Sequence, residues 1–315
     1  MHELFLSSLS FCFLHTTCGR THFGIIHDEF YCGFAVFDAK FMAVSFVYVY
    51  NRITGELFEH KRTAITRGAI HVPEQLWRGD GFFRLPGYAV HLQNRLTDHR
   101  HHIHIDIQGN RTTPPIRAEF TIHEQLDQIQ PLITVLPVND YHRPMYTHKA
   151  ACPVEGRLQV GSQTWEAING TALVDVQKTY YPHNAFWQWA TFAGQDQQGV
   201  PIALNLTHNM ITDDDRWNEN CAWIDGRLIR FSAARFDFDP ANTQQRWHIR
   251  TTDDKVQVTF TPQGERSEKI AIAGLMRSDF HQPFGTYHGT IMDDAGQTHT
   301  ITEAFGVAEH HILQA

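Results

Sequence analysis

Asp175 sits where a side chain with acid chemistry would be useful. It closes an apolar run and is followed by Tyr180-Tyr181-Pro182-His183-Asn184 and then by Trp187 and Trp189. In an extended chain, side chains alternate, so Tyr181, His183, Trp187 and Trp189 share one face. A carboxyl group held against indoles is poorly solvated, which favours its neutral form and suits it to donate a proton. Indole faces then stabilise a developing cation. The chemistry implied is hydration or isomerisation of a carbon–carbon double bond. Asp175 is the general acid, Trp187 and Trp189 are the wall, and His183 or Tyr181 positions water. Asn205 lies on the polar parity of the strand-like run 200–207. Glu219 and Asn220 precede Trp223, and these four complete the ligand-binding candidates. The plainer alternative is that Asp175 hydrogen-bonds amides at the bend and that the indoles form a seam between two packed β-units.

Histidine offers a second chemistry. The chain has 22, and the densest group is His99, His101, His102 and His104. On a strand, His102, His104 and Asp106 face one way and Ile103, Ile105 and Ile107 the other. Imidazoles with a carboxylate suit zinc or iron. Same-face neighbours on one strand stand about 7 Å apart, so a metal-dependent enzyme here needs ligands from an adjacent strand. A solvated face opposite an isoleucine face is the favoured reading, and no metal or other cofactor is expected. The run Asp213-Asp214-Asp215 lacks the spacing of a calcium loop and reads as a solvated loop. Neither HExxH, GxSxG nor a P-loop occurs.

The elements that must position these residues are strands. From Phe23 on, the chain is aromatic and β-branched, and turn residues recur at Arg78-Gly79-Asp80-Gly81, Pro86-Gly87, Gly161-Ser162, Asn169-Gly170, Asp225-Gly226, Gln263-Gly264 and Asp294-Ala295-Gly296. That rhythm predicts an all-β fold of sandwiches or meander barrels. Residues 41–50 read as a strand, 51–56 as its turn and 57 onward as the return. Residues 1–22 show no period. They lack a basic leader and a clear cleavage site, so no signal peptide is expected.

Length and charge narrow the partners. The chain has 315 residues, room for two domains, and a net charge of −8, which gives no field for nucleic acid. No apolar run reaches the roughly 20 residues of a membrane span. Five cysteines (Cys12, Cys18, Cys32, Cys152, Cys221) without a CxxC pair read as reduced and buried, which suggests the cytoplasm.

Several of these stretches together resemble a family. His148-Lys149-Ala150-Ala151 with VEGRLQVG, Asp175 with FWQWATFAG, GVPIALNLTHNMITDDDRWNENCAWIDGRL, and the ending FGTYHGTIMDDAGQTHTITEAFGVAEHH look like the domain of unknown function 2804 family. The resemblance runs from Phe23 to the C-terminus. That family is similar in layout to the lipocalin-like carotenoid hydratase group, which has two calycin-type barrels in tandem and an acid before a Trp-rich restart. The resemblance implies two lipocalin-like antiparallel β-barrels or sandwiches: 23–178, then 179–315, after an atypical segment 1–22. It carries over no established activity. After the Asp the family reads Trp-Gly-Arg-Gly, whereas Val176-Gln177-Lys178-Thr179 stands here.

The function expected is therefore binding of a small apolar molecule, isoprenoid or lipid-like, with hydratase or isomerase chemistry at Asp175. The alternatives are a non-catalytic lipid carrier or structural two-barrel protein, and the metal enzyme of the His99–His104 strand.

Overall fold

The structure is a computed structural model and describes residues 18–40, 42–65, 67–138, 143–272 and 276–314. Expectations for residues 1–17 and Cys12 lie outside the described residues. Among the described residues there is no α-helix, only two 3-10 turns at Arg67–Ala69 and Leu96–Asp98. No helix there is long and apolar enough to cross a membrane.

The chain forms two compact units. One holds Thr17–Pro131 and His148–Lys178; the other holds Leu132–Thr147 and Thr179–Ala315. The first thirteen strands are β1 (Cys18–Ile26), β2 (Phe30–Asp38), β3 (Ala43–Asn51), β4 (Leu57–Ala64), β5 (Ile70–His71), β6 (Gly79–Leu85), β7 (Tyr88–Arg95), β8 (Arg100–Ile107), β9 (Ile116–His123), β10 (Leu132–Val138), β11 (Arg143–Val160), β12 (Gln163–Glu166) and β13 (Gly170–Thr179). They pair in the order β4-β3-β2-β1-β13-β11-β9-β8-β7-β6-β5, with β10 and β12 on β11. Nine more follow: β14 (Asn184–Gln195), β15 (Pro201–Asn209), β16 (Cys221–Ile224), β17 (Arg227–Arg230), β18 (Ala234–Asp237), β19 (Trp247–Thr251), β20 (Val256–Ile272), β21 (Met276–Met292) and β22 (Thr298–Gln314). Their order is β17-β16-β15-β14-β22-β21-β20-β19-β18. Both sheets are antiparallel and curl into half-barrels. β2 comes against β5 in the first, and β15 against β18 in the second.

Local chemistry explains the turns. At the β3–β4 hairpin, Asn51 Oδ1 accepts from the Ile53 and Thr54 amides, and Gly55 takes φ 77°, a conformation open to glycine. Asp225 and Gly226 take φ 49° and 75° between β16 and β17, the two-residue turn whose twist fits a hairpin. Two expected turns are strand instead. Gly79 and Gly81 lie in β6, where Pro73 occupies the space a Cβ would need. Gly264 lies in β20 at a bulge, against the Phe284 ring. Here glycine marks close approach rather than reversal.

The interior of each unit is apolar. Phe23 and Phe34, register partners on β1 and β2, stack at 5.3 Å. In the second unit Phe192, Leu204, Trp247, Phe260, Tyr287 and Ala308 share the core. Each sheet, however, buries part of its other face as well. An antiparallel sheet with one wet face alternates buried and exposed positions, and β8 does so. On β1 nearly every residue is buried, and on β14 the positions from Trp189 to Ala193 are buried without a break. Cys18, Cys32, Cys152 and Cys221 are buried thiols outside any disulfide. Burial, with Asp38 nearby, pushes the Cys18 thiol up to about 12.

Candidate functional site

In the first unit the second buried face carries charge. Asp175 on β13 is 3% exposed. Its carboxylate meets Arg20 Nη2 of β1 at 2.8 Å and Lys149 Nζ of β11 at 3.0 Å. These strands are neighbours in the sheet, so three residues distant in sequence become adjacent. Burying an ion costs several kcal/mol unless opposite charge answers it. Burial pushes the Asp175 pKa up, but Lys149, then Arg20 and His22, outweigh it and hold the group at about 2. The neutral acid expected from the sequence is therefore an ion-paired carboxylate, unsuited to give a proton near neutral pH.

The interior face of the same unit has a second buried carboxylate. Glu124 follows β9 directly and is wholly buried. Its Oε2 is 2.9 Å from His101 Nε2 and its Oε1 is 2.6 Å from His148 Nε2. His101 Nδ1 stands 3.0 Å from Asn94 Oδ1. Burial pushes Glu124 up, and the bonds from His101 and His148 bring it down to about 2. Asn94 and His101 are register partners on β7 and β8. Both lie on the parity of Val90, Leu92, Ile103 and Ile105, so the network closes one end of an aliphatic interior.

In the second unit, the odd positions of β14 turn away from the core. Trp189 pairs in register with Glu309 and Trp187 with His311 on β22. Glu309 is 1% exposed. It accepts hydrogen bonds from Trp187 Nε1 and, at 2.8 Å, from Gln282 Nε2. The His311 ring meets the Trp187 indole edge-on at 4.2 Å, and its Nε2 is 2.8 Å from Ser278 Oγ. Tyr181 lies 5.9 Å from Trp187, ring centre to ring centre. This gathers a carboxyl group, two indoles, a phenol and an imidazole on a largely buried surface. Side chains of these types have the chemistry to line an apolar body and to exchange a proton.

The sequence pattern of the family described as Domain of unknown function (DUF2804) matches residues 18–314. The chain belongs to the DUF2804 family. No curated protein matches the sequence. Among solved structures, this DUF2804 chain is similar to CghA with Sch210972, with a TM-score of 0.56 at 9% identity, covering 95% of this chain and 88% of that one. It is also similar to kievitone hydratase from Nectria haematococca, with a TM-score of 0.50 at 8% identity, covering 94% and 88%. At such identities the likeness is one of fold.

The other candidates of this DUF2804 chain fall in different places. Trp189 Nε1 donates to Asn205 Oδ1 at 2.7 Å, and Asn205 Nδ2 donates to the Glu219 carbonyl at 2.7 Å. Asn220 Oδ1 accepts from the Thr207 amide and its Nδ2 donates to the Ser232 carbonyl. Asn205 and Asn220 thus tie the 210–220 loop to β15. Trp223 is buried on β16, and His183 is exposed at the bend before β14. Asp214 and Asp215 hold Arg235, the Ala233 amide and Thr252, so they pin the loop rather than simply solvate it. His102 and His104 face out as their parity requires, while His101 joins the isoleucines. His99 lies off the strand at φ 56°. Among the described residues no three metal-binding side chains already converge.

Glu124 and Glu309 were missed from the sequence, yet each leaves a trace. Ile116, Ala118, Phe120 and Ile122 alternate into Glu124, and Phe305 and Val307 alternate into Glu309. In these two places the acid continues the buried parity of its strand.

Proposed function

We propose that the chain binds a small apolar molecule, isoprenoid or lipid-like, on the face of the second unit that carries Trp187, Trp189 and Glu309. It adds water to a carbon–carbon double bond there, or shifts one, with Glu309 in the acid role first assigned to Asp175. The carrying observation is the bond from the Trp187 indole to the buried Glu309 carboxyl group. In hydration, Glu309 gives its proton to one alkene carbon. Water bonds to the other carbon, and the proton it sheds restores the acid. The indoles face the cationic stage between. Asp175 serves as a fixed charge. The fold shared with kievitone hydratase supports the reaction class by analogy.

A carrier that binds without turnover is the second reading. Asn205 supports it, because its amide holds Trp189 and the Glu219 carbonyl and so shapes the wall of the site.

Native mass spectrometry of protein purified gently from its host tests both. The proposal expects a co-purifying small molecule that is lost in Trp187→Ala, and incorporation of oxygen from labelled water when that molecule is an alkene. Binding without incorporation supports the carrier. No bound molecule, and no binding from a panel of isoprenoid alkenes, overturns both readings.

A further inference from the structure

The outer face of β7, β8 and β9 in the first unit plays no part in that reading. Strand β8 turns Ile103, Ile105 and Ile107 inward and His102, His104 and Asp106 outward. Register sets His91 of β7 directly opposite His104, and His104 directly opposite Glu119 of β9. Two imidazoles and a carboxylate therefore stand in one row across three strands. The ring centres of His91 and His104 are 6.3 Å apart, and His104 Nδ1 is 3.5 Å from Glu119 Oε1. His102 lies one step along the same face, its Nδ1 3.2 Å from Thr121 Oγ1. The row lies in an open groove of about 890 Å3, also lined by Glu155 and Arg157.

We propose that His91, His104 and Glu119 bind a divalent transition-metal ion. Oxygen-rich sites hold magnesium and calcium, whereas imidazole favours nickel, copper and zinc. His91 and Glu119 each have a Cβ about 5 Å from that of His104 and stand about 10 Å from one another, so both must lean over His104 to share one ion bound at about 2 Å by each imidazole. The His104 and Glu119 side chains are 53% and 80% exposed and are free to rotate. The ion draws the three together, since as they stand no three such groups meet among the described residues. A cross-strand ion pair such as Asp106–Arg117 is ordinary on a solvated strand face, but a second imidazole opposite the His104–Glu119 pair adds nothing to such a pair. Here the metal-binding types are aligned in register.

Calorimetric titration of the full chain with nickel, and separately with zinc, at pH 7.5 tests the site. The wild type is expected to show one saturable site in the micromolar range. His91→Gln and His104→Gln should each weaken it at least tenfold, and His123→Gln, on the same face but paired with Glu155, should leave it intact. Magnesium should show no saturable binding. Nickel should raise the Tm of the wild type but not of His104→Gln, with all variants matching the wild type in Tm before metal is added. Absence of a saturable site, or titrations of His91→Gln and His104→Gln that match the wild type, overturns the proposal.

Discussion

His148 and Lys149 are consecutive on β11, and each fastens a buried carboxylate on the opposite face of the sheet. His148 holds Glu124 at 2.6 Å inside the first unit, and Lys149 holds Asp175 at 3.0 Å on the other side. Because strand residues alternate in direction, a dipeptide suffices for two separate polar locks. A shift of β11 by one residue would turn both partners away from their carboxylates, so the pair also fixes register.

Acid should undo the first unit through these two groups. Glu124 and Asp175 are each held at about 2, below ordinary values of 4.5 and 3.8. A pKa depressed in the folded state adds stability above the unfolded value and loses it as pH falls toward the folded value. Tm should therefore drop steeply between about pH 4.5 and pH 2. Glu124→Gln should be less stable than wild type at pH 7 and show a shallower slope in that window. A slope equal to that of the wild type would remove Glu124 from the account.

Lys149→Met should be among the most damaging single changes. It leaves a buried carboxylate with Arg20 in place of two cations. Breaking a buried ion pair from one side costs about 3–5 kcal/mol, readable in urea unfolding. Adding Asp175→Asn should recover part of the loss, because the carboxylate charge is then gone while the Asn carbonyl oxygen can still accept from Arg20. Failure of the double variant to recover would mean that packing, not charge, governs the position.

Asn205→Ala should remove the oxygen that accepts from the Trp189 N–H and the amide that donates to the Glu219 carbonyl. Unsatisfied buried groups cost about 1–3 kcal/mol each. Indole emission should change at the same time, because the Trp189 N–H loses the Asn205 oxygen as its acceptor. Unchanged stability and emission would count against the role given to Asn205.

Gly156 and Gly55 both have positive φ, at 143° and 77°, but differ in surroundings. A Cβ on Gly156 would stand 2.0 Å from the Glu119 carbonyl oxygen, and one on Gly55 would meet nothing within 4 Å. Gly55→Ala should cost about 1 kcal/mol of backbone strain. Gly156→Ala should cost clearly more, because β11 and β9 must also move apart. Equal losses in thermal unfolding would show that the close approach carries no weight.

Much of the architecture was legible because strand signals are local. The parity of β8, with isoleucines in and His102 and His104 out, and the Asn51–Gly55 turn need only neighbouring residues. Glycine misled at Gly79, Gly81 and Gly264, because a close contact with Pro73 or Phe284 leaves no mark in the surrounding sequence. Asp175 misled for a similar reason. Its bend and indoles are nearby in sequence, but Arg20, which holds it ionised, is 155 residues away. The order β1-β13-β11 that brings Arg20, Asp175 and Lys149 together is a property of the whole sheet, and no window of sequence contains it.

Photolabelling tests most directly where the ligand sits. A diazirine-bearing isoprenoid, activated on the full chain and mapped by peptide mass spectrometry, should mark the peptides of β14 and β22 that contain Trp187 and Glu309. The marking should saturate, yield to an excess of unlabelled isoprenoid and vanish in Trp187→Ala. Saturable marking confined to other peptides, or marking that persists unchanged in Trp187→Ala, would contradict the placement of the site.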